Sequence, residues 1–325
     1  MSSEHSVDLL VVGAGPTGLF AAYYAGFRGL SVAVADALPE PGGQITAMYP
    51  EKMIFDVAGF PAVRGRDLVR SLVEQAGQYE PTYLLGRAIT ELNATDDGLV
   101  AVTDQESVRA GAVLITAGIG EFTPRPLPAG GEWLGNGLVH FIPDPDVHTG
   151  RDVVVVGGGD SAFDWALALH PVAGSVSLVH RRARFRAQEG LVRKVADLQI
   201  PLITEAEVTG ISGDDTGIHE VDLRFADGST RALPAQTVVA ALGFLADLGP
   251  IASWGLELDK RSIAVDTTMR TNRDRVYAAG DVASYPGKVK LIATGFGEAA
   301  TAVNNIAVEL NPGTHLFPGH STNLG

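Results

Sequence analysis

Residues 7–18 read Val-Asp-Leu-Leu-Val-Val-Gly-Ala-Gly-Pro-Thr-Gly, a short apolar run that leads directly into three closely spaced glycines. A mostly apolar run of this length is typical of a buried parallel strand. The residues after Gly18 have helical composition, and a second apolar run ends at Asp36. This order of strand, glycine-rich turn, helix, strand and acid predicts a Rossmann-like dinucleotide-binding unit.

Each part of the pattern has a physical role at such a site. Gly13 permits a tight turn, Gly15 lets the backbone approach a pyrophosphate, and Gly18 lets the helix pack closely on the strand. The helix N-terminus offers free N–H groups and the positive end of its dipole to the phosphates. Asp36 can accept hydrogen bonds from both ribose hydroxyls, so the first site favours a dinucleotide without a 2′-phosphate.

The same pattern recurs later in the chain with a different ending. A run of four valines from Val153 leads into residues 157–162, Gly-Gly-Gly-Asp-Ser-Ala, followed by a helix-like stretch and a strand-like run at 175–179. Residues 180–186 then read His-Arg-Arg-Ala-Arg-Phe-Arg, with no acid at the strand end. Planar guanidinium groups can bind a 2′-phosphate with paired hydrogen bonds, so this segment favours NADP(H) over the alternative of a solvated basic loop. Two sites of opposite ribose preference predict FAD and NADP(H) on one chain.

The composition limits the chemistry that the chain can perform. It has 325 residues, 46% of them hydrophobic and 19% charged, which is typical of a globular protein with about two domains. Cysteine is absent, so disulfides, thiolate metal sites and dithiol redox chemistry are excluded. The net charge of −14 disfavours nucleic acid or an anionic membrane as a partner.

The sequence contains no signal for secretion or for insertion into a membrane. No apolar run approaches the roughly 18 residues that span a bilayer. Residues 1–6 carry no Lys or Arg ahead of the first apolar run, so they do not resemble a secretory signal. No cluster of possible ligands has the spacing of a metal site. We therefore expect a cytoplasmic protein without a metal site.

Several motifs resemble those of the two-dinucleotide disulfide-reductase flavoproteins, specifically their thioredoxin-reductase-like branch. Thr116–Gly118 and Ala241–Gly243 resemble its two crossover segments between domains. Residues 157–162 and 180–187 resemble its NADPH site. Tyr277–Asp281 resembles the segment whose Asp contacts the FAD ribityl chain. Thioredoxin reductases carry a Cys-x-x-Cys pair just upstream of the second glycine motif. Residues 137–146 occupy that position here and contain no cysteine.

A closer resemblance is to ferredoxin/flavodoxin–NADP⁺ reductases of the thioredoxin-reductase-like type (type 2), and it covers essentially the whole chain. The motifs that carry it are Pro41–Gln44, Tyr49–Lys52, Asp56–Pro61, Gly157–Ala166, Gly295–Ala299, Thr301–Asn305 and His320–Thr322. The resemblance implies an α/β, thioredoxin-reductase-like fold of two Rossmann-like domains. The FAD-binding domain would comprise residues 1–122 plus 243–325, with a C-terminal extension at 311–325. The NADP(H)-binding domain, residues 123–242, would be inserted into it.

The resemblance also implies roles for individual residues. Tyr49 is expected to lie against one face of the isoalloxazine ring. His320 is expected to cover the other face, contributed by the partner subunit of a homodimer. The expected FAD contacts are Gly13, Gly15, Thr17, Gly18, Asp36, Gln44, Tyr49, Ile89, Phe122, Asp281 and Thr322. The expected NADPH contacts are Gly157, Gly159, Asp160, Ser161, Arg181, Arg182 and Arg186.

The function implied is that of an FAD-dependent oxidoreductase that transfers electrons between NADPH and ferredoxin or flavodoxin. Hydride transfer to FAD would be followed by single-electron steps. One alternative is an NADPH-dependent reductase or oxidase of quinones or small molecules that has no protein acceptor. Another is a non-enzymatic sensor of NADPH or flavin.

Overall fold

The computed structural model describes residues 4–319. The chain divides into two compact units. The first unit is discontinuous and comprises Met1–Glu121 and Ala246–Gly325, and the second comprises Phe122–Leu245. The chain therefore leaves the first unit, builds the second, and returns.

The elements of both units follow in chain order. Residues 4–115 form β1 (Glu4–Val12), α1 (Pro16–Phe27), β2 (Val32–Asp36), α2 (Gln44–Met48), β3 (Met53–Ile54), β4 (Val63–Arg64), α3 (Gly65–Gly77), β5 (Thr82–Leu85), β6 (Glu91–Thr95), β7 (Gly98–Val102) and β8 (Ser107–Ile115). The middle of the chain forms β9 (Glu121–Pro124), β10 (Leu138–Val139), β11 (Asp152–Gly157), α4 (Asp160–Leu169), β12 (Ser175–Val179), α5 (Glu189–Asp197), β13 (Leu202–Ile203), β14 (Ala206–Asp214), β15 (Gly217–Phe225), β16 (Thr230–Pro234), β17 (Thr237–Ala241) and β18 (Phe244–Asp247). The remainder forms β19 (Leu258–Asp259), β20 (Ser262–Ala264), β21 (Val276–Ala278), β22 (Ala283–Ser284) and α6 (Ile292–Leu310).

The main sheet of the first unit has seven strands in the order β5-β2-β1-β8-β7-β6, with β21 also paired to β8. Strands β1, β2, β5, β8 and β21 run parallel, whereas β6 and β7 form an antiparallel extension. Val12 pairs with Ala35 on one side and with Ile115 on the other, and Ile115 pairs with Ala278. These registers bring the carboxyl ends of four parallel strands to one edge, where ligands of open α/β sheets bind.

Both faces of this sheet are covered, which explains why β1 reads as a continuous apolar run. Leu10 and Val12 belong to one buried cluster, and Leu9 and Val11 belong to a second cluster on the opposite face. The second cluster includes buried residues of α1 and of α6, such as Ala302. Helix α6 thus packs beside α1 on the same face of the sheet.

The second unit repeats this plan on a smaller scale. Its main sheet has five parallel strands in the order β10-β17-β11-β12-β13. Val153 and Val155 pack in one buried cluster with Phe163 of α4. The opposite face, which includes Val154, packs in a cluster with residues of the antiparallel sheet β14-β15-β16. Gly157, at the end of β11, pairs with Ala241 at the end of β17.

Within residues 4–319, no helix combines the length and the apolar character that crossing a bilayer requires.

Candidate active site

The first glycine turn joins β1 to α1 at the carboxyl edge of the main sheet. Gly13 adopts a positive φ of 113°, and a Cβ at this position would lie 2.6 Å from the carbonyl oxygen of Thr116. The Thr116 hydroxyl donates to the carbonyl oxygen of Gly13 at 2.8 Å. A Cβ on Gly18 would collide with that same carbonyl oxygen. Gly13 and Gly18 are therefore required because backbone, helix and the end of β8 meet without room for a side chain.

The N-terminus of α1 is suited to bind an anion. Gly15 is the N-cap residue, no side chain caps the helix, and Pro16 begins it. Nothing lies within 4 Å of the position that a Cβ on Gly15 would take. The space beside Gly15 is thus open, and an uncapped first turn with the positive end of the helix dipole fits a pyrophosphate.

Asp36 is the last residue of β2 and lies beside this turn. Its Oδ2 accepts the N–H of Ala14 at 2.6 Å, and its Oδ1 accepts the N–H of Leu38 at 2.8 Å. Burial raises the pKa of Asp36, and these two backbone donors oppose the rise. A carboxylate has about four acceptor positions. After two backbone contacts, its geometry therefore still fits the hydroxyls of a ribose.

Thr17 lies where three segments meet. A Cβ on Gly280 would lie 2.9 Å from its Oγ1, and a Cβ on Gly295 would collide with the same hydroxyl. Gly280 directly precedes Asp281, in the 3₁₀ turn Gly280–Val282 that follows β21. The structure thus brings the first turn of α1 and the turn that carries Asp281 together at the carboxyl edge of the sheet.

Asp281 is half-buried, and its surroundings are strongly charged. Burial raises its pKa, whereas the nearby Lys290 and Lys288 lower it and Glu298 raises it. Tyr49 is electrostatically coupled to the same group. Burial, followed by the charge of Asp281, raises the pKa of the Tyr49 hydroxyl, which keeps it protonated.

Two further predicted FAD contacts lie on or next to α2. Gln44 is the first residue of α2, and its Nε2 would lie 3.2 Å from a Cβ on Gly118. Tyr49 follows the end of α2 and packs against a buried cluster that includes Ile45 and Leu19. The Lys52 ammonium lies 5.7 Å from the centroid of the Tyr49 ring. These contacts hold Tyr49 beside the end of α2, the helix that Gln44 begins.

Of the remaining predicted FAD contacts, the structure describes the side chain of Ile89 only. Ile89 is buried in the core cluster that contains Leu10, so its side chain serves packing and only its backbone is available for a cofactor. Phe122 belongs to β9, and its side chain lies outside the part of the structure that is described. His320 and Thr322 lie outside the described residues.

The second glycine turn joins β11 to α4. A Cβ on Gly157 would collide with the carbonyl oxygen of Ala241, as one on Gly13 would with the end of β8. Gly159 is the N-cap of α4, no side chain caps the helix, and nothing lies within 4 Å of a Cβ placed there. Asp160 begins the helix, and Ser161 beside it is exposed. This turn also fits a pyrophosphate, by the same physical argument.

The arginine segment follows β12 directly. Arg181, Arg182 and Arg186 are exposed. Within residues 4–319, no ion pair neutralises any of these three. His180, which precedes them, is buried at 9% exposure. Burial lowers its pKa and Arg182 and Arg181 lower it further, against a backbone contact to Arg184 that raises it. Three unneutralised cations beside the second turn fit a 2′-phosphate.

Sequence reasoning assigned no role to three residues that shape the first site: Thr116, Lys288 and Glu298. Thr116 lies in one of the two predicted crossover segments, and Glu298 lies in one of the family motifs. Glu298 is 4% exposed, accepts the N–H of Gly280 at 2.7 Å and forms an ion pair with Lys288. No local sequence signal marks Lys288 as its partner, because the pairing depends on how α6 packs.

Comparison with known proteins defines the class first. Residues 7–305 match the family model described as pyridine nucleotide-disulphide oxidoreductase, and the chain belongs to this family. Its fold is similar to that of the solved thioredoxin reductase of T. acidophilum, with a TM-score of 0.83 and 28% identity over 94% of this chain and 99% of that one. The Lactococcus lactis thioredoxin reductase is 24% identical, with a TM-score of 0.81 over 93% and 99% of the two chains. The predicted thioredoxin-reductase-like α/β fold is therefore confirmed.

Curated relatives then define the branch. The chain is 76% identical to the ferredoxin–NADP reductase of Saccharopolyspora erythraea over 98% of both chains. It is 61% identical to that of Nocardioides sp. over 97% of both. The corresponding protein of Halalkalibacterium halodurans is 46% identical, over 99% of this chain and 98% of its own. Within its class the chain belongs to the ferredoxin–NADP reductases, as the motifs predicted.

This membership assigns FAD and NADP(H) as the cofactors. The residues present fit that assignment. One turn ends in an acid that suits an unphosphorylated ribose, and the other is followed by three exposed arginines that suit a 2′-phosphate. The absence of cysteine separates the chain from the dithiol chemistry of its thioredoxin reductase neighbours.

Proposed function

We propose that this protein transfers electrons between NADPH and ferredoxin, with FAD as its bound redox group. When bound, FAD would supply the chemistry of taking a hydride from the nicotinamide and releasing single electrons. The observation that carries the proposal is the pair of glycine turns with opposite ribose chemistry, on a chain that has no thiol. Flavodoxin is a second acceptor of the same kind, and the family names support ferredoxin first.

The first unit would bind FAD and the second would bind NADP(H). In the first unit, Gly15 and the N-terminus of α1 would receive the pyrophosphate, and Asp36 would hold the ribose. Asp281 and Gln44 would contact the remainder of FAD, and Tyr49 would stack on the isoalloxazine ring. This role for Tyr49 is supported by its place at the end of α2 and by the charge of Asp281, which acts on its hydroxyl. The ring would exclude water and oxygen from one flavin face.

The second unit would recognise NADPH through Gly157, Gly159, Asp160 and Ser161 at its glycine turn. Arg181, Arg182 and Arg186 would bind the 2′-phosphate, supported by their exposure and their lack of ion pairs within residues 4–319. We further propose that the protein is a cytoplasmic homodimer, with His320 from the partner subunit covering the second flavin face and with Phe122 and Thr322 contacting FAD. Neither nucleic acid nor a membrane would be a partner, since the net charge is −14.

The test is anaerobic NADPH oxidation by the purified yellow protein, with cytochrome c as the reporter, in the presence and absence of ferredoxin. The proposal predicts that cytochrome c reduction depends strongly on ferredoxin and is much slower with NADH. Flavin reduction by NADPH that ferredoxin does not accelerate would favour a reductase of small molecules. Flavin that binds but resists NADPH would favour a sensor.

Quaternary structure and partner are separable from the chemistry. Light scattering of the FAD-loaded protein gives the mass in solution, and a monomer would remove the proposed contribution of His320 from a second subunit. Flavodoxin replaces ferredoxin in a parallel assay. A rate enhancement by one carrier and not by the other identifies the partner without changing the assigned cofactors.

A further inference from the structure

Backbone hydrogen bonds join the arginine segment of the second unit, residues 180–186, to the glycine turn. The carbonyl oxygen of Gly158, the middle glycine of the turn, accepts the N–H of Arg186 at 2.7 Å and that of Ala187 at 3.1 Å. Next to these, Oδ1 of Asp160 accepts the N–H of Gln188 at 2.8 Å. The end of the arginine segment is therefore tied to the start of α4, and not only to the strand from which it emerges.

At the other end of the segment, the His180 side chain packs against the same glycine, Gly158. A Cβ on Gly158 would collide with the His180 imidazole, so the ring packs on this glycine where a side chain would not fit. Nε2 of His180 lies 3.2 Å from the carbonyl oxygen of Arg184, inside the segment. The backbone of His180 is itself fixed, because its N–H donates to Ile203 at 2.8 Å and its carbonyl accepts from Ala206 at 3.2 Å.

Phe185 anchors the middle of the segment in the core. Its ring meets that of the fully buried Phe163 edge-on, with 4.9 Å between centroids, and lies 5.4 Å from the His180 ring. The segment therefore alternates between an anchored apolar ring and exposed guanidinium groups on either side of it. A loop held at both ends and in its middle presents its cations in a restricted arrangement, which lowers the entropy lost when they bind a ligand.

We propose that His180, seated on Gly158, is a positioning residue that sets the preference for NADP(H) over NAD(H). It does so by holding Arg181, Arg182 and Arg186 against the glycine turn, where they converge on a 2′-phosphate. Gly158 serves this arrangement as the seat of the ring. The inference rests on the proposed function of the second unit as the NADP(H) site.

The test measures binding of two probes that differ only in the 2′-phosphate, 2′,5′-ADP and 5′-ADP, to the full-length, FAD-loaded protein by calorimetry. The variants are H180A, G158A and the double variant. We expect each to weaken 2′,5′-ADP by about tenfold, the factor that loss of one charge-assisted hydrogen bond gives. Binding of 5′-ADP should change by less than about twofold, within the scatter of a site that has lost no direct contact.

The double variant tests whether His180 and Gly158 act through the same contact or independently of each other. Because both single changes unseat the same ring, the double variant should bind 2′,5′-ADP no more weakly than the weaker single variant. H180F keeps a ring on Gly158 and should retain the discrimination to within about threefold, a loss smaller than that of one hydrogen bond to a charged group. The control is H170A, an exposed histidine at the other end of α4, which should leave both affinities unchanged.

The outcomes distinguish the inference from the function on which it rests. Wild-type protein that binds 5′-ADP as tightly as 2′,5′-ADP would contradict the NADP(H) assignment itself. Wild-type discrimination together with equal losses of both probes in H180A would overturn the positioning role and leave His180 as a packing residue only. Unchanged discrimination in both single variants, with unchanged thermal midpoints, would overturn it as well.

Discussion

Oε2 of Glu298, in the middle of α6, accepts the backbone N–H of Gly280 at 2.7 Å. Gly280 directly precedes Asp281, so a buried carboxylate from the second half of the chain fixes the turn that presents an expected FAD contact. The other oxygen of Glu298 accepts the Tyr285 hydroxyl at 2.6 Å and pairs with Lys288. One side chain thus joins α6, the turn after β21 and the segment that follows it.

Substitution of Glu298 by Gln should lower both stability and retention of FAD. A single amide oxygen cannot serve the Gly280 N–H, Tyr285 and Lys288 together, and the Lys288 ammonium would remain buried without its counter-charge. The expected loss is about 3 kcal/mol in the free energy of unfolding, as for other broken buried ion pairs. Urea titrations followed by flavin fluorescence should show FAD released at a lower urea concentration than from the wild type.

Glu309, also on α6, provides the matched control. It accepts the Tyr277 hydroxyl at 2.8 Å and pairs with Arg270, whose side chain is 41% exposed, so water screens the pair. The variant E309Q should lose no more than about 1 kcal/mol. It should release FAD together with the wild type. Equal early release from both variants would contradict a specific role for Glu298 at the Gly280 turn.

Two glycines of α6 should respond to alanine in opposite directions. A Cβ at Gly295 would collide with the Thr17 hydroxyl, whereas nothing lies within 4 Å of a Cβ at Gly297, which is exposed. We expect G295A to cost about 1–3 kcal/mol through overpacking and to weaken FAD binding. G297A should instead stabilise the protein by about 0.5–1 kcal/mol, because alanine loses less backbone entropy in a helix. Thermal and urea unfolding measure the stability of the two variants. Destabilisation by G297A would contradict the prediction of opposite effects.

The Tyr285 hydroxyl should make the stability of the protein depend on pH in the alkaline range. Its hydrogen bond to Glu298, together with burial, raises the pKa of Tyr285 to about 12. The unfolded value is about 10. The stabilisation is therefore fully present below about pH 10 and is lost as the pH rises through about 12. Y285F should cost about 1–2 kcal/mol at pH 8, and the difference from the wild type should be smaller at pH 11. A difference that stays the same at both pH values would show that the hydroxyl does not donate to a carboxylate.

Substitution of Arg186 should weaken NADPH binding, whereas substitution of Arg184 in the same segment should not. R186A removes a cation expected at the 2′-phosphate, so the KM for NADPH should rise by about 10- to 100-fold, while the KM for NADH stays nearly constant. The control R184A truncates an exposed side chain of the same segment but leaves its backbone contact to His180 in place. It should leave the ratio of the two KM values unchanged. Parallel loss in both variants would indicate a general electrostatic effect and no defined phosphate contact.

The sequence alone was sufficient to predict the two nucleotide turns and the elements around them. Gly13 directly follows β1 and Gly157 is the last residue of β11. Both strands are buried on two faces, and both glycines precede a helix whose N-terminus has no side-chain cap. Such signals are local, because they depend on periodicity and on residues within one turn of each other. The confirmed cofactors follow from these local signals, and the confirmed thioredoxin-reductase-like fold class follows from the family resemblance of the motifs, whereas the individual contacts and the domain boundaries remain predictions.

How these turns are held depends on contacts made across the folded chain. Three contacts join residues that are distant in the chain. They are the packing of the His180 ring on Gly158, the close approach of the Thr17 hydroxyl to Gly295, and the hydrogen bond from the Gly280 N–H to Glu298. Such contacts leave no local pattern, because they depend on the packing of α6 against α1 and on the register of parallel strands. Local sequence patterns therefore predict the ligands of the two turns, whereas the packing of the helices on the two sheets determines which further side chains hold those turns in place.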